Sequence, residues 1–152
     1  MLTETNKTLS RRFFEEVWNK GDLAVLNEIL TKDHVNSGPG TPPELPTGPE
    51  GTKQLVTMYR NAFPDVHFTI DEQLAEGEKV LTRWTGHGTH QGELQGLPAT
   101  GKSSTISGIV IDRIVNGKIA ESWGLFDNFS MMQQLGVIPM PELAVEHWPA
   151  GE

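Results

Sequence analysis

The sequence predicts an α+β fold. We expect a strongly curved, mostly antiparallel sheet forming a cone-shaped barrel, three N-terminal helices enclosing an apolar pocket, and a short C-terminal helix. Three observations carry this. Apolar residues recur at spacings of three and four in three segments before Pro64. From Val66 onward, runs rich in Val, Ile, Thr and Trp follow one another through turns, which favours antiparallel pairing. Asn116-Gly117 sits between two apolar runs, a strong short-range hairpin signal. Helices gathered at one end of the chain pack onto one face of such a sheet. Gly86, Gly88 and Gly108, inside the strand runs, suit bulges or sharp bends.

The elements follow in order. Leu9, Phe13, Phe14, Val17 and Trp18 form the stripe of a helix from Thr5 to Asn19, with Gly21 as its stop. Asp22 suits the N-cap of a second helix that buries Leu23, Leu26, Ile29 and Leu30. Asp33 to Gly51 is rich in proline and glycine and reads as a loop, either a lid or a disordered flap. Glu50 to Phe63 is a third helix, stopped by Pro64. Val66 to Leu74 and Lys79 to His90 read as strands around a Glu76-Gly77-Glu78 turn. Gln91 to Lys102 is a loop. Ser103 to Val115 and Lys118 to Leu125 form the hairpin, and Asn128 to Leu135 a short helix. Val137 to Glu152 reads as an irregular tail in which Trp148 could dock. A single domain therefore spans 1–152, with a core of about 8–137 and a tail at 138–152.

Composition narrows the partners. The net charge is −8 and the basic residues are scattered, which argues against nucleic acid and anionic membranes. No apolar run reaches the length of a membrane span, and the N-terminus lacks the apolar stretch of a signal peptide, so a cytoplasmic location is the expectation. There are no cysteines, hence no disulfide, thiolate metal site or cysteine nucleophile. Phosphate-binding glycine loops, dinucleotide fingerprints and zinc-protease motifs are absent. We expect no cofactor and no metal: His87 and His90 lie three apart in a strand and so point to opposite faces.

The candidate site residues come from the strands and the long loop. Trp18, Phe63, Trp84, Trp123 and Phe126 are either core or the walls of a pocket. Asp127, close to Trp123 and Phe126, is either an acid of such a pocket or the N-cap of the last helix. His90 ends a strand and could transfer protons near neutrality, or simply be solvated there. His34 and Asn36, after the second helix, could bind a substrate oxygen or belong to ordinary loop chemistry. Asp112 could pair with neighbouring strands.

These residues together resemble the SnoaL-like polyketide cyclase, or ester cyclase, family within the nuclear-transport-factor-two-like superfamily. The resemblance runs from about Thr8 to Val137. It rests on RFFEEVWNKGDLAVLNEILTKDHVN, GPEG, AFPDVHFTI, RWTGHGTHQGELQGLPATGK, IDRIVNGKIAESWGLFD and MMQQLG. It implies the cone fold, a pocket between sheet and helices, and assembly as a homodimer or homotetramer. It also implies a cofactor-independent acid–base reaction on a hydrophobic carbonyl compound, an aldol closure or isomerisation. The family pattern maps onto His90, Asn36 and Asp127, with Asp127 and His90 as acid–base groups. His34 and Asn36 would then be oxygen ligands. Counting back from Gln-Leu-Gly places the cyclases' catalytic aspartate at Gly124, which has no side chain to transfer a proton. The alternatives are a non-catalytic binder of an apolar small molecule, an epoxide-hydrolase-like or dehydratase-like enzyme, and an interaction module whose sheet mediates dimerisation.

Overall fold

The structure is a computed structural model and describes residues 2–139. Trp148 and the rest of the expected tail beyond residue 139 lie outside the described residues. The elements are α1 (Leu2–Arg12), a π-helical turn (Phe13–Trp18), α2 (Val25–Ile29), β1 (Leu30–Ser37), α3 (Pro49–Ala62), β2 (His67–Glu76), β3 (Lys79–Thr89), β4 (Ser103–Val115), β5 (Lys118–Phe126) and α4 (Asn128–Gln134). The five strands lie in the order β1-β5-β4-β3-β2. β1 runs parallel to β5 and the other pairs are antiparallel. The sheet curls around the helices without closing. No helix among the described residues is long and apolar enough to cross a membrane.

Two expectations are corrected. Leu30 to Ser37 is a strand, where the sequence reads as the end of a helix and the start of a loop. Its partner β5 lies far along the chain, so no local turn announces it. The mixed polar run TKDHVNS also lacks a clean alternation. Asp22 does not cap α2, which starts at Val25 after Ala24 with no side-chain cap. The Asp22 backbone N–H instead donates to Glu16 O, closing the end of the π-helical turn.

That turn aims the first helix at the sheet. The wider π winding places Phe14, Val17 and Trp18 in the interior, with Phe13 packed against the same core. Gly21, with φ +72°, makes the reversal that ends it. The Asn19 side chain then clamps the helix end to β2: its Nδ2 donates to Phe68 O at 2.9 Å, and Phe68 N donates to its Oδ1 at 2.7 Å. Arg60 of α3 donates to Trp18 O, tying the third helix to the same corner.

The main core packs Val17, Leu26, Ile29, Val56, Val80, Ile114 and Ile119 between helices and sheet. A second cluster gathers Ala62, Phe63, Leu94, Met131 and Leu135 where α3, the β3–β4 loop and α4 meet. At 25 cal/mol per Å² and higher, each such side chain contributes about 2 kcal/mol on leaving water. Gly108 has a packing reason of its own. A Cβ there would fall 2.3 Å from the Trp84 indole, so the bare backbone lets that ring lie flat across β4. The sheet's irregularities lie elsewhere, between Ile70 and Glu72, between Arg113 and Ile114, and between Leu30 and Val35 where β1 meets β5. The second is a β-bulge: pairing passes from Arg113↔Glu121 to Ile114↔Ile119 and leaves Ala120 extra. Ile119 and Ser122 consequently both face the interior, three residues apart rather than two.

Candidate functional site

Between the sheet and the helices lies a cavity of about 170 Å³. Its walls are mainly apolar, with eight aromatic rings among the lining residues. Phe13, Phe14 and Trp18 enter from the π-helical turn, Tyr59 and Phe63 from α3 and its end, and Phe68, Trp84 and Phe126 from the strands. The rings brace one another. Trp18 and Phe68 have centroids 4.8 Å apart, Phe68 and Trp84 5.0 Å, and Tyr59 meets Phe126 edge-on at 6.2 Å. Such arrays hold a flat apolar ligand with little loss of side-chain freedom. Pro39, Gly40, Thr41 and Pro42 of the β1–α3 loop form part of the lining.

Polar groups converge on the wall made by β1 and β5. Asn36, Ser37 and Ser122 line the cavity there. Asn36 and Ser122 are register partners across the parallel pair, and Ser122 and Asp112 are partners across β4–β5. Three neighbouring strands thus place these side chains side by side. Asn36 Nδ2 donates to Thr52 Oγ1 of α3 at 3.0 Å, which fixes its orientation. Gly38 and Gly124 meet backbone to backbone beside them. A Cβ on Gly38, at φ +107°, would fall 2.1 Å from Gly124 O, whereas a Cβ on Gly124 would have no neighbour nearer than 3.9 Å.

Behind this wall runs a buried hydrogen-bonded chain. Ser10 Oγ donates to Asp112 Oδ2 at 2.7 Å, and Ser122 Oγ donates to Asp112 Oδ1 at 2.7 Å. His34 Nε2 lies 2.9 Å from Ser122 Oγ. Asp112 and His34 are each 1% exposed, so both are cut off from water. Burial pushes the Asp112 carboxyl up to about 6, against the two serine hydrogen bonds that favour its ionised form. Burial likewise holds His34 down to about 4, with the Asp33 charge opposing. The His34 Nδ1 has no hydrogen-bond partner among the described residues. Since Ser122 gives its proton to Asp112, a neutral His34 bonded to Ser122 carries its proton on Nε2.

Trp18, Phe63, Trp84 and Phe126 line the cavity together with Asn36. Trp123 does not: it alternates to the outer face of β5, opposite Ile111. His34 stands behind the lining, one bond from Ser122. His90 is fully buried, not solvated, and also stands behind the lining. Its Nδ1 accepts from Thr100 N at 3.2 Å, its ring stacks on Phe63 at 5.3 Å, and its backbone pairs with Lys102 and Gly101 to close the β3–β4 loop. Its Nε2 has no partner among the described residues. Asp127 is exposed and caps α4, accepting from Ser130 N at 2.9 Å. That helix carries Met131 to the cavity. Ser10, Asp112 and Ser122 are the site residues that sequence reasoning missed. The signal available was the pair of inward parities in β4 and β5, obscured by the bulge at Ala120.

Comparison with known proteins agrees with this architecture. The family model described as SnoaL-like polyketide cyclase matches residues 8–135. The aklanonic acid methyl ester cyclase of Streptomyces peucetius is 32% identical over 150 residues, covering 97% of this chain and 96% of the relative. Its counterpart in Streptomyces sp. (strain C5) is 31% identical, covering 90% and 80%. Among solved structures, TsrD of Streptomyces laurentii superposes with a TM-score of 0.80 at 27% identity, over 89% of this chain and 97% of its own. AclR of Streptomyces galilaeus, a candidate hydroxylase, gives 0.80 at 25%, over 95% and 89%. The candidate polyketide cyclase IdmH of Streptomyces antibioticus gives 0.74 at 33%, over 87% and 99%. With a curled α+β fold, an aromatic cavity in its cone and a family match along most of its length, the chain belongs to the SnoaL-like polyketide cyclase family.

Proposed function

We propose that this protein binds a flat, oxygen-bearing polyketide-type carbonyl compound and closes or isomerises it by cofactor-independent acid–base chemistry. The observation that carries this is the asymmetry of the cavity. Apolar groups cover most of its wall, and Asn36, Ser37 and Ser122 gather at the β1–β5 wall, with Tyr59, Thr41 and Ser104 set apart from them. A fused aromatic ligand would lie among Trp18, Phe68, Trp84 and Phe126, with its oxygens toward Asn36 and Ser37. The relatives' activity on aklanonic acid methyl ester supports that substrate class. Asn36 supplies an amide beside the carbonyl. In this reading His90 braces Phe63, and Asp127 holds α4 against the cavity mouth. The test is titration with aklanonic acid methyl ester, followed by quenching of Trp18 and Trp84 fluorescence and by chromatography for a ring-closed isomer of equal mass. Absence of quenching removes the proposal.

A second reading, a binder without turnover, is favoured by Gly124, where the resemblance places the cyclases' acid. The open space beside the Gly124 Cα would accept a carboxylate without steric clash. If the wild type only binds, Gly124→Asp should confer ring closure on the bound ester. Assembly as a homodimer belongs to the same proposal. The outer face of β1 and β5 presents Val35 and Trp123, with Leu125 partly exposed beside them, which a second copy would cover. Light scattering on the wild type and Trp123→Glu checks it; a monomeric wild type counts against it.

A further inference from the structure

Among the described residues, no carboxylate, histidine, lysine or arginine lines the cavity. Tyr59 is the titratable group that does, and burial raises its pKa, so it is a poor base near neutrality. Proton transfer inside this cavity therefore needs an uncharged lining group tied to a titratable one behind it. Ser37, Thr41 and Ser104 have no such tie among the described residues. Ser122 has one on each side: Asp112 at 2.7 Å and His34 at 2.9 Å.

We propose that Ser122 is the catalytic hydroxyl of the cavity and that Asp112 acts through it as the proton reservoir, doing the work of the carboxylate missing at Gly124. This rests on the reading that the cavity takes an enolisable carbonyl compound. The hydroxyl has one proton and two lone pairs. Its proton points to Asp112, and His34 Nε2–H occupies one lone pair. The other lone pair is left for the cavity. When the C–H bond next to a bound carbonyl breaks, its electrons stay on the substrate as an enolate and its proton goes to Ser122 Oγ. Ser122's own proton moves to Asp112 Oδ1, which becomes a carboxylic acid. The enolate carbon then attacks a second carbonyl, forming the new C–C bond. The resulting alkoxide takes a proton from Ser122, which is refilled by Asp112. The carboxylate is restored, and no cofactor, oxidant or reductant enters.

The geometry suits each part. Ser10 holds the other oxygen of Asp112, so the carboxylate keeps one fixed face toward Ser122. A carboxyl held at about 6 is ionised at neutrality yet basic enough to take a proton back. His34 touches no cavity surface and is a positioning residue: its Nε2–H fixes the Ser122 rotamer.

The test uses wild type, Ser122→Ala, Ser122→Thr and Asp112→Asn with aklanonic acid methyl ester in deuterated water. Tryptophan fluorescence reads affinity; mass spectrometry reads α-hydrogen exchange and ring closure. Ser122→Ala and Asp112→Asn should each slow exchange about a hundredfold, the usual scale for acid–base groups, with affinity retained. Ser122→Thr keeps a hydroxyl and should recover most of the rate. Asp112→Asn should also remove the acid-side inflection of the rate profile. A wild type that binds no ester overturns the pocket reading and the relay with it. Wild-type exchange in Ser122→Ala with the ester bound overturns the relay alone, as does a wild type that binds the ester and never exchanges it.

Discussion

Replacing Asp112 by asparagine should make folding stability depend on pH where that of the wild type is nearly flat. The reason lies in two buried groups displaced in opposite directions. Asp112 rises from 3.8 to about 6, so between those values the folded state holds a proton the unfolded state has lost, and stability falls as pH rises. His34 drops from 6.5 to about 4, so across that window the unfolded state holds the extra proton, and stability grows as pH rises. Each displacement is worth about 3 kcal/mol in full, at about 1.4 kcal/mol per decade of proton affinity. Between pH 4 and pH 6.5, roughly 2 kcal/mol of each is expressed and the two nearly cancel. Among the described residues Asp112 bonds to Ser10 and Ser122, and His34 bonds to Ser122 with Asp33 nearby, so few other charges intrude. Asp112→Asn leaves the His34 contribution unopposed, and stability should climb by roughly 2 kcal/mol from pH 4 to pH 6.5 relative to wild type. His34→Gln should show the reverse slope. Urea unfolding at several pH values reads this as a midpoint shift of about 1 M. Parallel profiles for the wild type and Asp112→Asn would refute the opposed-burial reasoning.

Other perturbations give simpler outcomes. Asp127→Ala removes the N-cap of α4 and should cost about 1 kcal/mol in urea unfolding, with ester affinity little changed. Gly108→Ala drives a methyl group into Trp84 and should destabilise by about 1–3 kcal/mol, with a shift in tryptophan emission as the indole moves. Asn19→Ala breaks both bonds to Phe68 and should cost about 2 kcal/mol, detaching the π-helical turn from β2 in hydrogen-exchange measurements.

What the sequence revealed about this fold was local. The Leu9–Trp18 stripe, Gly21, the break at Pro64 and the Asn116-Gly117 hairpin each depend on neighbours within a few residues, and each stands in the structure. β1 was hidden because its hydrogen bonds go to β5, with Asn36 opposite Ser122 far along the chain. The π-helical turn was hidden because its apolar residues also fit an α-helical stripe. The cavity rings are legible as a surplus of aromatics, but that surplus includes Trp123, which strand parity turns outward. Asp112, Ser122 and His34 were unremarkable one at a time. Their meaning comes from lateral pairing across three strands, and an unremarked bulge changed the parity on which that pairing depends.

The extra residue at Ala120 has a consequence for how this chain can vary. Upstream of it β5 turns Ile119 inward; downstream it turns Ser122, Gly124 and Phe126 inward. Deleting Ala120 would make Ile114↔Ile119 and Arg113↔Glu121 consecutive pairs of a regular ladder, with Ser122, Gly124 and Phe126 still facing inward and Trp123 still outward. Point substitutions at position 120 leave this phase untouched and should be widely tolerated. The loss of one residue between Ile119 and Ser122 is therefore absorbed locally, whereas a deletion farther along β5 has no spare residue to absorb it and shifts the side chains beyond it to the other face. A library that samples single deletions along β5 should retain ligand binding best at this spot.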